Sequence, residues 1–192
     1  MGLLRAFIAI EIPSSIQRAI QQATSGLHQE LKGLVRWTAP ENIHLTLKFL
    51  GDISQSSMES LTQLLCAEAD MISPFEFHVH GFGSFPISRL PRVLWVGIQA
   101  PAGLEAMYRG IEAACTRLGY EAEPRGFSPH LTIGRVKQDI SAAHRGTIRR
   151  ALEAVKIDSL GTARVDSVHL FKSDLKPSGA VYTKLSSAPL NN

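Results

Sequence analysis

A chain of 192 residues, 44% of them hydrophobic and 19% charged, is long enough to bury a core without disulfide or metal staples, as one domain or two lobes of one. The formal net charge of +3 and a pI near 9.0 suit an anionic partner without requiring one, and no low-complexity tract or linker interrupts the chain. In chain order, Phe7 to Ile12 reads as an apolar strand running into Pro13 and a helix that starts near Ser14. That helix carries Ile16, Ile20, Ala23, Leu27 and Leu31 on one face and stops at Gly33. A strand around His44 ends at Gly51-Asp52, and a helix from Ser54 or Ser56 buries Met58, Leu61 and Leu65 before Pro74 closes it. Strands at 75–80 and 92–99 bracket a loop rich in Gly and Pro, at 81–91. A helix over 102–118 ends at Gly119, a strand around His130 follows Pro129, and a helix over 141–155 buries Ile148, Leu152 and Val155. Strands around Ala163–Val168 and Val181–Leu185 finish the chain, with Lys176-Pro177-Ser178-Gly179 as a turn.

Two segments carry nearly the same residues, Ile43-His44-Leu45-Thr46-Leu47 and Pro129-His130-Leu131-Thr132-Ile133, with the histidines 86 positions apart. Side chains alternate along a strand, so each segment sends His and Thr to one face and two aliphatics to the other. The flanks repeat as well. Pro13 lies 31 residues before His44, and Pro101 lies 29 before His130. The pattern predicts an α+β fold built as a bilobal duplication of a β-α-β-α-β unit, with repeat units at about 5–90 and 92–186 of one domain spanning 1–192. Each helix has a single apolar stripe, which places helices outside and leaves the other face of antiparallel sheets to line a central cleft. Two His/Thr strands facing each other there would converge two imidazoles and two hydroxyls on one small volume.

An imidazole takes or gives a proton near neutrality, so two of them flanking one centre can act as acid and base. The hydroxyls of Thr46 and Thr132 can donate to the oxygens of a phosphate between them. His28, His78, His80, His144 and His169 read as structural or merely exposed, and no Cys/His/Asp/Glu spacing suggests a metal site or a cofactor. Cys66 and Cys115 sit among helical aliphatics and read as inert thiols of a reducing compartment. With no secretory signal, and with Ala6 where a myristoylation motif needs Ser or Thr, the expected setting is the cytoplasm, as a monomer away from membranes.

The strings Trp37-Thr38-Ala39-Pro40-Glu41-Asn42-Ile43-His44-Leu45-Thr46-Leu47-Lys48-Phe49-Leu50-Gly51 and Phe127-Ser128-Pro129-His130-Leu131-Thr132-Ile133-Gly134-Arg135 resemble the two-histidine phosphoesterases. Within them the likeness is to the RNA 2′,3′-cyclic phosphodiesterases, historically called 2′-5′ RNA ligases, and it covers essentially the whole chain. The resemblance implies metal-independent opening of an RNA 2′,3′-cyclic phosphate to a 2′-phosphate, with reverse ligation as the same chemistry run backwards. It implies His44 as proton donor, His130 as proton acceptor, and Thr46 and Thr132 as phosphate ligands. It also places a basic residue at Arg135. Strict alternation puts that side chain on the face of Leu131 and Ile133, so it reaches the cleft only if the strand bulges or ends near Gly134. Arg125, Trp37 and Lys48 are further substrate-binding candidates. Lys48 shares the His44 face by alternation, while Phe49 falls on the core face. Other readings keep the pocket for small cyclic nucleotides or 2′-5′ oligoadenylate, or for nucleotide or RNA binding without catalysis.

Overall fold

The computed structural model describes residues 2–86, 90–177 and 179–191. Among these residues nine strands form one antiparallel sheet, β1 (Leu4–Glu11), β2 (Val35–Trp37), β3 (His44–Ile53), β4 (Phe75–Phe85), β5 (Val93–Gln99), β6 (His130–Val136), β7 (Ser159–Val165), β8 (Ser167–Lys176) and β9 (Gly179–Pro189). Their order is β7-β4-β5-β6-β3-β1-β8-β9, with β2 on β6, and the sheet curls into a half-barrel. The α+β class and the duplication are as the sequence implies. The two expected sheets are halves of one sheet, joined where Leu45 of β3 pairs with Leu131 of β6.

That junction is a pseudo-two-fold. Reading outward, β3-β1-β8-β9 on one side answers β6-β5-β4-β7 on the other. Each side draws strands from both halves of the chain, since β4 pairs with β5 and β8 pairs with β1. The helices α1 (Ser14–Ala23), α2 (Ser25–Glu30), α3 (Ser57–Ala69), α4 (Ala102–Arg117) and α5 (Ala142–Ala154) bury their stripes against one sheet face, in a core that includes Ile8, Leu45, Val96, Leu131, Leu65 and Ile111. That leaves the other face open.

Local differences from the sequence expectation have local causes. The first helix breaks at Thr24, whose hydroxyl donates back to the Ile20 carbonyl at 2.8 Å, and it resumes as α2. The run Ala163–Val168 divides at Asp166 into β7 and β8, which join opposite halves of the sheet. β4 continues to Phe85, through part of the expected 81–91 loop, because its second stretch pairs with Val93–Val96 of β5. Positions 87–89 of that loop, and Ser178 of the expected turn, lie outside the described residues.

Two equivalent bulges shape the open face. On β1 the neighbours Ile8 and Ala9 pair with Lys48 and Thr46, so Leu47 is an extra residue in β3. On β5 the neighbours Leu94 and Trp95 pair with Gly134 and Thr132, so Ile133 is the extra residue in β6. An extra residue inverts the alternation beyond it. Thr46 and Phe49 therefore share the open face, as do Thr132 and Arg135, while Lys48 and Gly134 turn to the helices.

Candidate active site

His44 and His130 begin adjacent strands on either side of the Leu45–Leu131 pair. Continuing that register by one residue sets His44 beside Thr132 and His130 beside Thr46. His44 and His130 are then diagonal neighbours, which in a regular ladder lie about 7–8 Å apart. The imidazoles thus come together side by side on one face, and not from two opposed sheets.

The two rings are oriented alike. Nδ1 of His44 donates to the Asn42 carbonyl at 2.8 Å, and Nδ1 of His130 donates to the Ser128 carbonyl at 2.7 Å. A carbonyl only accepts, so each neutral ring carries its proton on Nδ1 and leaves Nε2 free to take or hold a second one. Each histidine secures itself to the carbonyl two residues before it, at the point where an irregular segment enters the strand.

Aromatic rings back both sides. His44 stacks on Phe7 at 4.8 Å and meets Tyr182 edge-on at 5.1 Å, with Phe171 stacked behind Phe7. His130 meets Phe85 edge-on at 5.2 Å, and Trp95 lies at 6.3 Å. Gly83 faces Trp95, where a Cβ would come within 2.3 Å of the indole, so only glycine lets that ring lie over the strand. A cavity of about 340 Å³ opens beside His44, lined by residues that include Glu11, Asn42 and Tyr182. Asn42 donates to the Ala180 carbonyl at 3.0 Å, tying the β8–β9 hairpin to the entrance of β3.

Burial holds the His44 pKa below that of a free imidazole; the Asn42 hydrogen bond opposes this and the Arg135 charge adds to it. Burial pushes the Tyr182 phenol up, against the pull of Arg135 and Arg5, so Tyr182 is a neutral donor at working pH. Arg135 therefore acts on the His44 side of the site, where the β6 bulge delivers it.

Lys48 and Trp37 turn to the helix side of the sheet, and Arg125 is engaged with an acidic neighbour. Lys48 is not an open-face residue: the β3 bulge turns it inward, where it is 5% exposed and its Nζ donates to Glu112 Oε1 at 2.6 Å and to the Glu121 carbonyl. Glu112 Oε1 also accepts the Glu123 amide at 2.7 Å, so this partly buried pair secures the segment that leads to His130. Removing Glu112 would leave the buried Lys48 ammonium without its carboxylate, which makes Lys48 a residue of stability. Phe49, expected in the core, is 66% exposed for the same geometric reason. Trp37 pairs with Gly134, packs its ring at the place a Gly134 Cβ would occupy, and stacks on His28 at 3.9 Å, on the helix side of the sheet. Arg125 is exposed and binds Glu123 at 2.8 Å. Other residues of the open face have no signature in the sequence. Phe7, Phe85, Trp95, Phe171 and Tyr182 carry no local motif, and Arg36 belongs to a strand of only three residues.

A duplicated, curled antiparallel sheet with a His-x-Thr pair at its centre is the architecture of a two-histidine phosphoesterase. A model of the LigT-like phosphoesterases matches residues 10–95 and again 96–182, and the chain belongs to that family. An RNA 2′,3′-cyclic phosphodiesterase of Thermotoga maritima is 30% identical over 182 residues, 95% of this chain and 93% of its own. One from Methanothermobacter thermautotrophicus is 29% identical over 95% of this chain and 96% of its own. Among solved structures, TT0787 of Thermus thermophilus superposes with a TM-score of 0.83 at 26% identity, covering 98% of each chain. Escherichia coli LigT complexed with phosphate gives 0.74 at 26% identity over 100% of each.

Proposed function

We propose that this protein opens RNA 2′,3′-cyclic phosphates to 2′-phosphates by acid–base catalysis between its two histidines. The observation that carries this reading is the pair of identically oriented imidazoles on adjacent strands, each with Nε2 free and a threonine hydroxyl beside it. Neutral His130 takes a proton from water through Nε2 as the water oxygen bonds to phosphorus. The bond from phosphorus to the 3′ oxygen breaks, and that oxygen receives the Nε2 proton of cationic His44. Thr46 and Thr132 donate to the non-bridging oxygens, and Arg135 offsets their charge. Proton exchange with solvent resets both rings. The residues themselves supply both proton transfers, so the step calls for no metal.

The full-length likeness to cyclic phosphodiesterases of bacteria and archaea supports RNA ends as substrate. One chain supplies both motifs, which is consistent with action as a monomer. Because each half-sheet draws on both halves of the chain, we take residues 1–192 as one catalytic unit whose repeats do not function separately. No helix among the described residues is long and apolar enough to cross a membrane, and Cys66 and Cys115 are unpaired, which accords with a cytoplasmic setting.

The direct test is the product formed from an oligoribonucleotide ending in a 2′,3′-cyclic phosphate. The expected product is a 2′-phosphate end, formed equally in excess chelator. A 3′-phosphate would reverse the leaving oxygen, and an unchanged cyclic end would remove the reading.

The depressed pKa of His44 gives a pH signature. A general acid works only while protonated, so the lowered pKa of His44 leaves only part of the free enzyme competent at neutral pH, and the alkaline limb of kcat/KM reports the free histidine pair. A bound phosphate anion favours the imidazolium, so the alkaline limb of kcat should lie at higher pH than that of kcat/KM. Coincident limbs would show that His44 is not the group observed.

A further inference from the structure

Arg36 of β2 stands directly across the ladder from Arg135 of β6. The flanking pairs are Val35 with Val136 and Trp37 with Gly134, and these turn to the helix side, so both guanidinium groups project from the open face. Both residues are exposed, and neither makes an ion pair among the described residues. Like charges directly opposite each other in a sheet are destabilising. The chain nevertheless keeps two arginines at this position, one of which acts on His44 and Tyr182. Two forked donors side by side suit the oxygens of a phosphodiester, and an anion between them would turn their repulsion into attraction.

We infer that Arg36, beside Arg135, forms a subsite for the phosphodiester next upstream of the reacting RNA end, and so lets the site favour an oligonucleotide over a mononucleotide. This inference rests on the RNA-end reading given above. One phosphate occupies the histidine–threonine centre, and a strand that continues in the 5′ direction brings a second. Arg36 lies one strand away from that centre, on the same face, and takes no part in proton transfer.

The test uses ligands that are not turned over, a nucleoside 2′-phosphate and a short oligoribonucleotide ending in the same 2′-phosphate, titrated against wild type, Arg36→Ala and Arg36→Lys at several salt concentrations. Wild type should bind the oligonucleotide more tightly. Arg36→Ala should lower the ratio of the two affinities about tenfold, the size of one lost charge-assisted hydrogen bond. Its salt slope for the oligonucleotide should fall by about 0.7, the value of one phosphate contact on a single strand. Arg36→Lys should retain the salt slope and lose part of the ratio. Removing a repelling charge should leave the unliganded melting temperature unchanged or higher, where a structural residue would lower it. A ratio near one in wild type, or the same ratio in Arg36→Ala, would overturn the inference. Failure of the catalytic reading would show separately, as a cyclic phosphate left intact by wild type.

Discussion

Alanine at His44 or at His130 is expected to lower single-turnover hydrolysis of a cyclic-phosphate RNA end by at least about a hundredfold, the usual worth of one positioned acid or base. Both substitutions should leave a folded protein. The histidines stand on the open face of the sheet, and the aliphatics that alternate with them, Leu45 and Leu131, are the residues in the core. Each substitution should cost some stability, because His44 is stacked on Phe7 and edge-on to Tyr182 while His130 meets Phe85 edge-on and Trp95 at 6.3 Å, contacts worth about 0.5–1.5 kcal/mol each. Urea unfolding of each variant separates that modest cost from the loss of rate. A variant that unfolds like wild type and turns over like wild type would exclude its histidine from proton transfer.

The bulged strands make the duplicated scaffold unequal where it matters. Five residues beyond each histidine, the inverted alternation presents Phe49 on one side and Arg135 on the other. A phosphate bound as proposed would thus be flanked by equivalent imidazoles and hydroxyls but would meet a cation from Arg135 on one side and the Phe49 ring on the other, with the charge on the side where it reaches His44. Chemical asymmetry of this kind allows a pseudo-symmetric site to hold its substrate in one direction.

Much of this was legible in the sequence because it is local. The period of the helical stripes, the Pro and Gly punctuation and the repeated His-x-Thr segments each depend on a few neighbouring residues, and they point to the α+β duplication and to the central pair. Strict alternation then failed at Leu47 of β3 and at Ile133 of β6, and β3 shifts register a second time between Phe49 and Gly51. A bulge is decided by the pairing strand, so nothing around Lys48 or Phe49 shows that Leu47 will be the unpaired residue. The same event carries Arg135 to the open face, which the sequence leaves conditional on a bulge near Gly134. Trp37 and Arg36 required a pairing partner that only the fold supplies, because a three-residue strand has too little period to reveal itself. The aromatic backing of each histidine is assembled from β1, β8 and β9 on one side and from β4 and β5 on the other, across sequence separations that no motif spans.

The division of labour between the imidazoles is tested most directly by a substrate in which sulfur replaces the 3′ bridging oxygen of the cyclic phosphate. A thiolate leaves without first being protonated, so the general acid becomes dispensable while the base that activates water is still needed. Rates of the oxygen and sulfur substrates are compared in wild type, His44→Ala and His130→Ala. The expected result is that sulfur restores most of the turnover lost in His44→Ala and none of that lost in His130→Ala. Rescue of His130→Ala alone would reverse the two roles, and equal rates for both substrates in every variant would contradict acid–base catalysis by this pair.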